Sequence, residues 1–310
     1  MQITKNFFKL LPFSLILLGV LFSSTTFFQK DRPPNDCRRQ PAFMSKQGFD
    51  LSRSALSTSE RKQMGLVMIE MENGNDPNSK RTRIYQHPSW DDAGYLGPFI
   101  IDAVGEVIVA PVPVINWLHN PPEEQNTLYK VNGATGQLYK LMKLPMAAPL
   151  SHHNPYGLLG LAYDCDNQTV YATSVAGSTR TVECGRIFHV NINTQKVLSQ
   201  LDSVDAMGIV VGNLQGEKRV YFGKTRTGEI MSIKVDENGD FVGKARTEFS
   251  LEGVGTRGDD KARKIRINAQ NELIITGAEF YYNLTAPTEK QESVYIFKFD
   301  MNRNRWVRTQ

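Results

Sequence analysis

Apolar and polar positions along the chain form pairs of short runs that are separated by turns. Residues 97–113, GPFIIDAVGEVIVAPVP, hold two apolar runs around a turn, and residues 126–144, NTLYKVNGATGQLYKLMKL, hold two more. Short apolar runs that are bounded by Gly, Asn and Asp predict strands rather than helices. The chain is therefore predicted to be nearly all β.

The strand pairs repeat. Four sets of two pairs begin near residues 97, 156, 207 and 264, which is a period of roughly 50 to 60 residues with four strands in each repeat. In every set the first pair is more apolar and the second pair alternates, as expected for strands between neighbouring sheets and strands nearer solvent. This order predicts the blades of a β-propeller, whereas a β-sandwich of two sheets does not explain it.

A partial repeat precedes the first full one. Residues 64–72 and 80–88 have the pattern of an outer hairpin without an inner one, so five or six blades are predicted, and five fits the strand count better. The turns Asn132-Gly133, Thr135-Gly136 and Asn238-Gly239 contain residue types that tolerate positive φ.

The first 30 residues differ from the rest. Lys5 and Lys9 precede an uncharged apolar run, LLPFSLILLGVLF, and small polar residues follow it. This order is typical of a secretory signal, and the run is shorter than the ~20 residues that span a bilayer. We expect residues 1–30 to be a signal peptide or an N-terminal anchor. Residues 31–61 are predicted to be a linker or an arm on the domain, with at most one short helix in GFDLSRSALS (48–57). Residues 62–310 are predicted to be the propeller.

Charge and cysteine content bear on partners and compartment. The net charge of +4 comes from scattered Lys and Arg, and without a basic face or a known module no nucleic-acid partner is expected. In an oxidising compartment a Cys165–Cys184 disulfide would leave Cys37 unpaired, and three free thiols are the alternative. Sequons at Asn167 and Asn283 would accept glycans in a eukaryotic source.

The segment GLLGLAYDCDNQTVYATSVAG (157–177) resembles the blades of six-bladed propellers related to senescence marker protein-30, gluconolactonase, strictosidine synthase and the NHL repeats. LYKVNGATGQLYKL (128–141) is similar to the outer hairpin of those families and of quinoprotein-like propellers. The resemblance covers residues 64–309 at the level of blades. Such a fold hosts unrelated functions.

The resemblance implies a calcium ion in the central channel, because the enzymes of that group hold one through Glu, Asn and Asp side chains. Asn154, Asp205 and Glu279 lie near the corresponding ends of inner strands, although no residue matches a diagnostic catalytic motif. Calcium takes about six to eight oxygen ligands, so neither Asp91–Asp92 nor Asp259–Asp260 alone is a site. Both pairs are interpreted as solvated turn residues.

Loops at one end of the predicted blades collect aromatic, histidine and charged residues. Loops of a propeller converge around its channel, where they carry function on a rigid scaffold. The candidate ligand-binding residues in them are Trp90, Asp91, Trp117, His119, Tyr156, Arg180 and Arg226. Aromatic and charged side chains around a concave mouth are typical of ligand binding, and packing beneath the loops is the alternative. The longest loop, 110–126, is predicted to be a lid or a partner-binding loop.

His152 and His153 are the candidate catalytic residues. Adjacent residues of an extended chain point in opposite directions, so the pair cannot easily chelate one metal ion together. One of them can face the channel as a ligand or acid–base group, and packing within the loop is the alternative.

Three functions are compatible with these features. The first is a propeller, secreted or tethered by its N-terminal segment, that binds a small molecule or a partner protein at the loop-rich face. The second is a calcium-dependent lactonase or esterase, in which the metal polarises a carbonyl and a histidine or carboxylate moves the proton. The third is an extracellular structural or interaction module. The lack of a catalytic motif favours the first and leaves open whether the chain is an enzyme.

Overall fold

Strands make up almost all of the regular structure. The computed structural model describes residues 35–60, 62–74, 76, 79–113, 118–151, 153–284 and 292–310. Within these ranges there are one α-helix, α1 (Ala42–Lys46), one 3-10 turn (Pro122–Glu124) and nineteen strands. The prediction of an all-β chain is confirmed.

The strands form five sheets, which we number as blades 1 to 5. Blade 1 contains β1 (Ser54–Ser57), β2 (Val67–Met71) and β3 (Arg81–Tyr85), and blade 2 contains β4 (Leu96–Ile101), β5 (Val107–Pro111), β6 (Thr127–Val131) and β7 (Leu138–Lys143). Blade 3 contains β8 (Leu158–Asp164), β9 (Thr169–Ser174), β10 (Arg186–Asn191) and β11 (Lys196–Asp202). Blade 4 contains β12 (Ala206–Gly212), β13 (Arg219–Lys224), β14 (Glu229–Val235) and β15 (Phe241–Ser250). Blade 5 contains β16 (Lys261–Ile267), β17 (Glu272–Ala278), β18 (Ser293–Asp300) and β19 (Arg305–Arg308).

Each blade is an antiparallel meander in which consecutive strands pair. The first strands of blades 2 to 5, namely β4, β8, β12 and β16, contact one another in chain order, so they are the inner strands of a propeller. The chain is therefore a five-bladed β-propeller, with four strands in blades 2 to 5 and three described strands in blade 1. The fold class is confirmed, and the described residues form five blades.

Hydrophobic clusters lie between successive blades. Between blades 2 and 3, for example, Ile108 and Leu128 pack with Leu158 and Phe188. The second strand of blade 3, β9, is buried along its whole length, while its outermost strand, β11, alternates between exposed and half-buried residues. This difference is the one predicted from the apolar first pair and the alternating second pair.

Residues 48–57 differ from the expectation of at most one short helix. The helix α1 lies earlier, and Ser54–Ser57 is a strand that pairs with β2. The reason is hydrophobic packing, since Leu56 of β1 and Met68 of β2 share a register position and enter the same buried cluster as Trp90. The strand β1 thus pairs with the hairpin β2–β3, although the apolar pattern of residues 48–57 does not predict a strand there.

The disulfide joins Cys37 to Cys165, with a Cα–Cα distance of 5.8 Å, and Cys184 is a free thiol. The predicted Cys165–Cys184 pairing is therefore wrong. Cys165 lies in the turn before β9 and Cys184 in the loop after it, so the length of a six-residue strand, roughly 20 Å, separates them. Bridged cysteines need Cα atoms within about 7 Å.

Residues 35–43 lie across the turns at one end of the blades. The Asn35 amide donates to the carbonyls of Tyr163 at 3.2 Å and Val211 at 3.1 Å, and the Phe43 N–H donates to the carbonyl of Gly133 at 2.9 Å. Together with the disulfide, these contacts attach residues 35–43, which include the start of α1, to blades 2, 3 and 4.

Two of the three predicted glycine turns have positive φ, which is +81° at Gly136 and +87° at Gly239. Gly133 has no positive φ and is required for another reason: a Cβ atom there would lie 2.3 Å from the carbonyl oxygen of Gly105. Such a contact is shorter than any side chain tolerates, so the turn brings two backbones together where only glycine fits.

Within the described residues, no helix has the length and apolar character that a membrane span requires. The predicted signal or anchor segment, residues 1–30, lies outside the described residues.

Candidate functional site

The functional loops lie at the end of the blades where the inner strands begin, which we call the loop face. Segments 175–185, 203–205, 225–228 and 279–284 connect strands at this end of blades 3 to 5. These segments and Tyr156, which precedes β8, form one connected group of side chains that we call the mouth. The opposite end, the turn face, carries the short hairpin turns and the Cys37–Cys165 disulfide.

Asp205 is the centre of the mouth. It directly precedes β12, and its side chain is fully buried. One carboxylate oxygen, Oδ1, accepts the N–H of Gly185 at 2.9 Å and the hydroxyl of Ser178. The other, Oδ2, accepts Arg226 Nε at 3.0 Å, Arg226 Nη2 at 2.9 Å and the hydroxyl of Tyr282. Asp205 therefore connects the loops of three blades.

Arg226 extends this network to the loop after β9. Its Nη1 donates to the carbonyl of Arg180 at 3.0 Å, and its Nη2 donates to the carbonyl of Thr179 at 2.6 Å and to that of Val182. The guanidinium also lies over the ring of Tyr282, 5.0 Å from the centroid. Each of its three nitrogens has a partner, so Arg226 fixes the loop and is not free to bind a ligand through its charge.

Three aromatic rings form a row across the mouth. The ring centroids of Tyr156 and Phe280 are 5.7 Å apart, and those of Phe280 and Tyr282 are 5.2 Å apart. All three side chains are half-buried. Burial raises the pKa of the Tyr156 hydroxyl, and burial together with the hydrogen bond to the Asp205 carboxylate raises that of Tyr282. Both phenols therefore stay protonated and neutral at physiological pH.

A second network of the same type precedes β16 in blade 5. Asp260 is fully buried and accepts Arg257 Nε at 2.6 Å, Arg257 Nη2 at 3.0 Å and the Tyr295 hydroxyl at 2.6 Å. Burial alone would raise the pKa of Asp260, but the hydrogen bonds from Arg257 and Tyr295 outweigh it and lower the pKa. Asp259 is exposed. The interpretation of Asp259–Asp260 as a solvated pair is thus wrong for Asp260.

The oxygens of the residues expected to bind calcium are largely used for other contacts. Asn154 is buried, its Oδ1 accepts the N–H of Tyr156 at 3.0 Å, and its Nδ2 donates to the carbonyl of Val175 at 2.7 Å. Asp205 is saturated by the contacts given above, and Glu279 is half-buried. Among the described residues, no three His, Cys, Asp or Glu side chains are grouped as metal ligands. Asn154 and Asp205 therefore do not fit a calcium site.

The structure places Trp90 in the hydrophobic core. The side chain is fully buried, its ring centroid is 5.6 Å from that of Phe43, and its Nε1 donates to the carbonyl of Gly136 at 2.7 Å. It has no exposed surface for a ligand. Asp91 is exposed, and His119 is exposed with its ring edge-on to Tyr95 at 6.0 Å.

His153 and the Arg180 side chain are exposed, and the backbone N–H of His153 donates to Ser151 Oγ at 3.3 Å. His152 and Trp117 lie outside the described residues, as do positions 114–117 of the predicted lid. Of the predicted ligand-binding residues, the structure brings Tyr156, Arg226 and the backbone of Arg180 together at the mouth. Sequence reasoning missed Ser178, Phe280 and Tyr282. The signal for Phe280 and Tyr282 was a cluster of aromatic residues in the loop after β17, and Ser178, in the loop after β9, had no such signal.

No family model and no curated protein matches the chain. Among solved structures, a calcium-binding regucalcin from Agrobacterium tumefaciens is 14% identical, with a TM-score of 0.48 over 90% of this chain and 75% of that one. The chain resembles propellers of this type. A glucose dehydrogenase is 14% identical, with a TM-score of 0.43 over 77% of this chain and 76% of that one. A chain of a nidogen–laminin complex is 11% identical, with a TM-score of 0.45 over 82% and 92% of the two chains. The resemblance is one of blades and says nothing about activity.

Proposed function

We propose that the protein is an exported β-propeller that binds a small molecule with a flat ring at the mouth. The observation that carries the proposal is the row of half-buried rings formed by Tyr156, Phe280 and Tyr282. A half-buried ring offers an apolar face on which a sugar or an aromatic ring can stack. The Tyr156 hydroxyl at one end of the row adds a polar contact that orients such a ligand.

Rigidity of the row supports the same proposal. Tyr282 is held from one side by the Arg226 guanidinium and donates to the buried Asp205 carboxylate. A ring that is already fixed loses little conformational freedom when a ligand stacks on it, which favours binding. The mouth is therefore organised before a ligand arrives.

Export is supported by the disulfide between Cys37 and Cys165. Structural disulfides form and persist in oxidising compartments and are rare in the cytosol. The apolar run at 10–22, preceded by Lys5 and Lys9, is the sequence feature that would direct the chain there. Fractionation of expressing cells, followed by N-terminal sequencing, tests this part: intact cytosolic protein with reduced Cys37 would contradict it.

The calcium-dependent hydrolase is the less favoured alternative. Asp205 is neutralised by Arg226, and the described residues contain no group that holds a metal in its place. The third function, an interaction module without a ligand, differs from our proposal in that the aromatic row would have no occupant.

Crystals soaked with pooled monosaccharides and aromatic acids test the proposal. We expect electron density for a ring stacked on Phe280 or Tyr156 at the mouth. Density found only elsewhere, or none at any concentration that the crystals tolerate, contradicts a small-molecule function at this site. A soak of crystals of the Phe280→Ala variant is the control, since the same density there would show that the row does not hold the ligand.

A further inference from the structure

Arg226 forms an ion pair with Asp205, a carboxylate that the family resemblance implies as a calcium ligand. We infer that Arg226 is the resident cation of the loop face: its guanidinium takes the electrostatic place of a metal ion at Asp205 and positions the loop from Ser178 to Gly185. This inference concerns how the mouth is built and stands whether or not a ring compound binds there.

Hydrogen-bond donors occupy both oxygens of the Asp205 carboxylate. Oδ1 accepts two donors, from Ser178 and Gly185, and Oδ2 accepts the guanidinium of Arg226 and the hydroxyl of Tyr282. A carboxylate offers about four lone-pair sites. Because donors already fill them, no lone pair of Asp205 is left for a metal ion.

Several backbone oxygens surround the Arg226 guanidinium. Besides Asp205, Arg226 contacts the backbone carbonyls of Thr179, Arg180 and Val182, and its Nε is 3.8 Å from a carboxylate oxygen of Glu183. Carboxylates and backbone carbonyls are the ligands that a hard cation such as calcium collects in proteins. Here the Arg226 guanidinium binds the carboxylate and carbonyl oxygens instead of a metal ion.

Electrostatic repulsion from Arg226 also keeps a metal ion away from Asp205. A divalent cation bound at Asp205 would lie within a few ångströms of the guanidinium, and like charges at that distance repel strongly in a buried site. Asp205 is fully buried and Arg226 is only 19% exposed, so solvent screens little of this repulsion. The two cations therefore exclude each other.

The Arg257–Asp260 pair of blade 5 provides a matched control. Its arginine also pairs with a fully buried aspartate beside a tyrosine, but among the described residues it contacts a single backbone carbonyl, that of Gly277 at 3.4 Å. Arg257→Gln therefore removes a similar ion pair without releasing the loop that contains Arg180.

Limited trypsin digestion tests the role of Arg226, because the carbonyl of Arg180 belongs to the peptide bond that trypsin cleaves. In the wild type the Arg226 guanidinium holds this carbonyl, so cleavage after Arg180 should be slow. We expect Arg226→Gln to speed it by about tenfold or more by local opening of the loop. Arg226→Lys, which keeps the charge but not the planar fork, should give an intermediate rate. Arg257→Gln should leave the rate at Arg180 unchanged.

Melting temperatures with millimolar CaCl2 or with a chelator complete the test. We expect the wild type to melt at the same temperature in both. A rise with calcium that is lost in Asp205→Asn would overturn the inference, and so would an unchanged cleavage rate in Arg226→Gln. If Arg226→Gln does not fold, the rate for Arg226→Lys decides in its place: a wild-type rate contradicts the inference and a faster rate supports it.

Discussion

Buried aspartates at the start of inner strands are held in this chain by an arginine and a tyrosine together. Asp205 and Asp260 directly precede β12 and β16, and each accepts donors from the guanidinium of one arginine and the hydroxyl of one tyrosine. A buried charge is tolerated only when it is paired and its lone pairs are satisfied. The repeat of this arrangement in two blades indicates that it fixes the loops at the start of the inner strands.

Replacing Asp205 by Asn should destabilise the fold. The substitution keeps the shape of the side chain but removes the negative charge that pairs most closely with the Arg226 guanidinium, which is 19% exposed. The Glu183 carboxylate, 3.8 Å from Arg226 Nε, is a more distant partner. Breaking a buried ion pair in this way typically costs about 3–5 kcal/mol of unfolding free energy. Urea unfolding measures it, with Asp91→Asn as the exposed control that should change little. Equal midpoints for Asp205→Asn and the wild type would contradict this account of the mouth.

Removing the disulfide should also lower stability. Cys37 and Cys165 are 128 residues apart, and a native disulfide typically stabilises by about 2–4 kcal/mol, mainly by constraining the unfolded chain. We expect that loss in a double variant, Cys37→Ser with Cys165→Ser, and a much smaller effect in Cys184→Ser. Unfolding with and without reductant distinguishes them: reductant should destabilise Cys184→Ser and leave the double variant unchanged. A reductant effect that requires Cys184 would show the assigned pairing to be incorrect.

At the scale of elements, the outer strands of blades 4 and 5 are joined by a buried carboxylate. Glu248 of β15 accepts the indole N–H of Trp306 in β19 at 2.8 Å, Gln215 Nε2 at 2.6 Å and Arg246 Nε at 2.8 Å. The Trp306 ring packs on Phe249, which follows Glu248 in β15, with ring centroids 5.4 Å apart. One side chain thus connects two blades at their solvent edge.

This contact should make stability depend on pH. Burial alone would raise the pKa of Glu248, but its hydrogen bonds outweigh burial and lower the pKa. A carboxyl whose pKa is lower in the folded state stabilises the fold above its unfolded pKa, about 4.3, and loses that contribution as the pH falls through the folded pKa. The gap in unfolding free energy between wild type and Glu248→Gln should therefore be constant near neutral pH and shrink in acid. A gap that stays constant down to pH ~3 would contradict the assignment.

The strands could be predicted because their signals are local. Alternation and glycine turns fix β8, β9 and the hairpin at 236–240 within a few residues of sequence. The strand β1 escaped prediction because it is only four residues long, SALS, and pairs through contacts with a hairpin further along the chain. The contacts of the site could not be predicted in full, because they join residues that are distant in sequence. Asp205 is hydrogen-bonded to Tyr282, 77 positions away, and no spacing rule connects the two residues.

Trp90 was predicted to contact a ligand because of its residue type, but the structure places its side chain in the hydrophobic core.

At the scale of the whole molecule, five blades bring loops from distant parts of the sequence to one face. The hydrophobic clusters between blades hold the strands, and the ion pairs of Asp205 and Asp260 hold the loops that connect them. Such a scaffold presents the aromatic row of the mouth in one fixed arrangement. We propose that this row binds a flat ring.

Affinity measured by titration calorimetry tests that claim most directly, with the ring compound that occupies the mouth in the soaked crystals as the probe. We predict that Phe280→Ala weakens binding by about tenfold or more, since a stacked ring pair contributes on the order of 1 kcal/mol beyond the area that it buries. Tyr139→Ala removes an aromatic side chain that is 39% exposed on the outer strand of blade 2 and should leave the affinity unchanged. Equal affinities for wild type and Phe280→Ala would contradict the account.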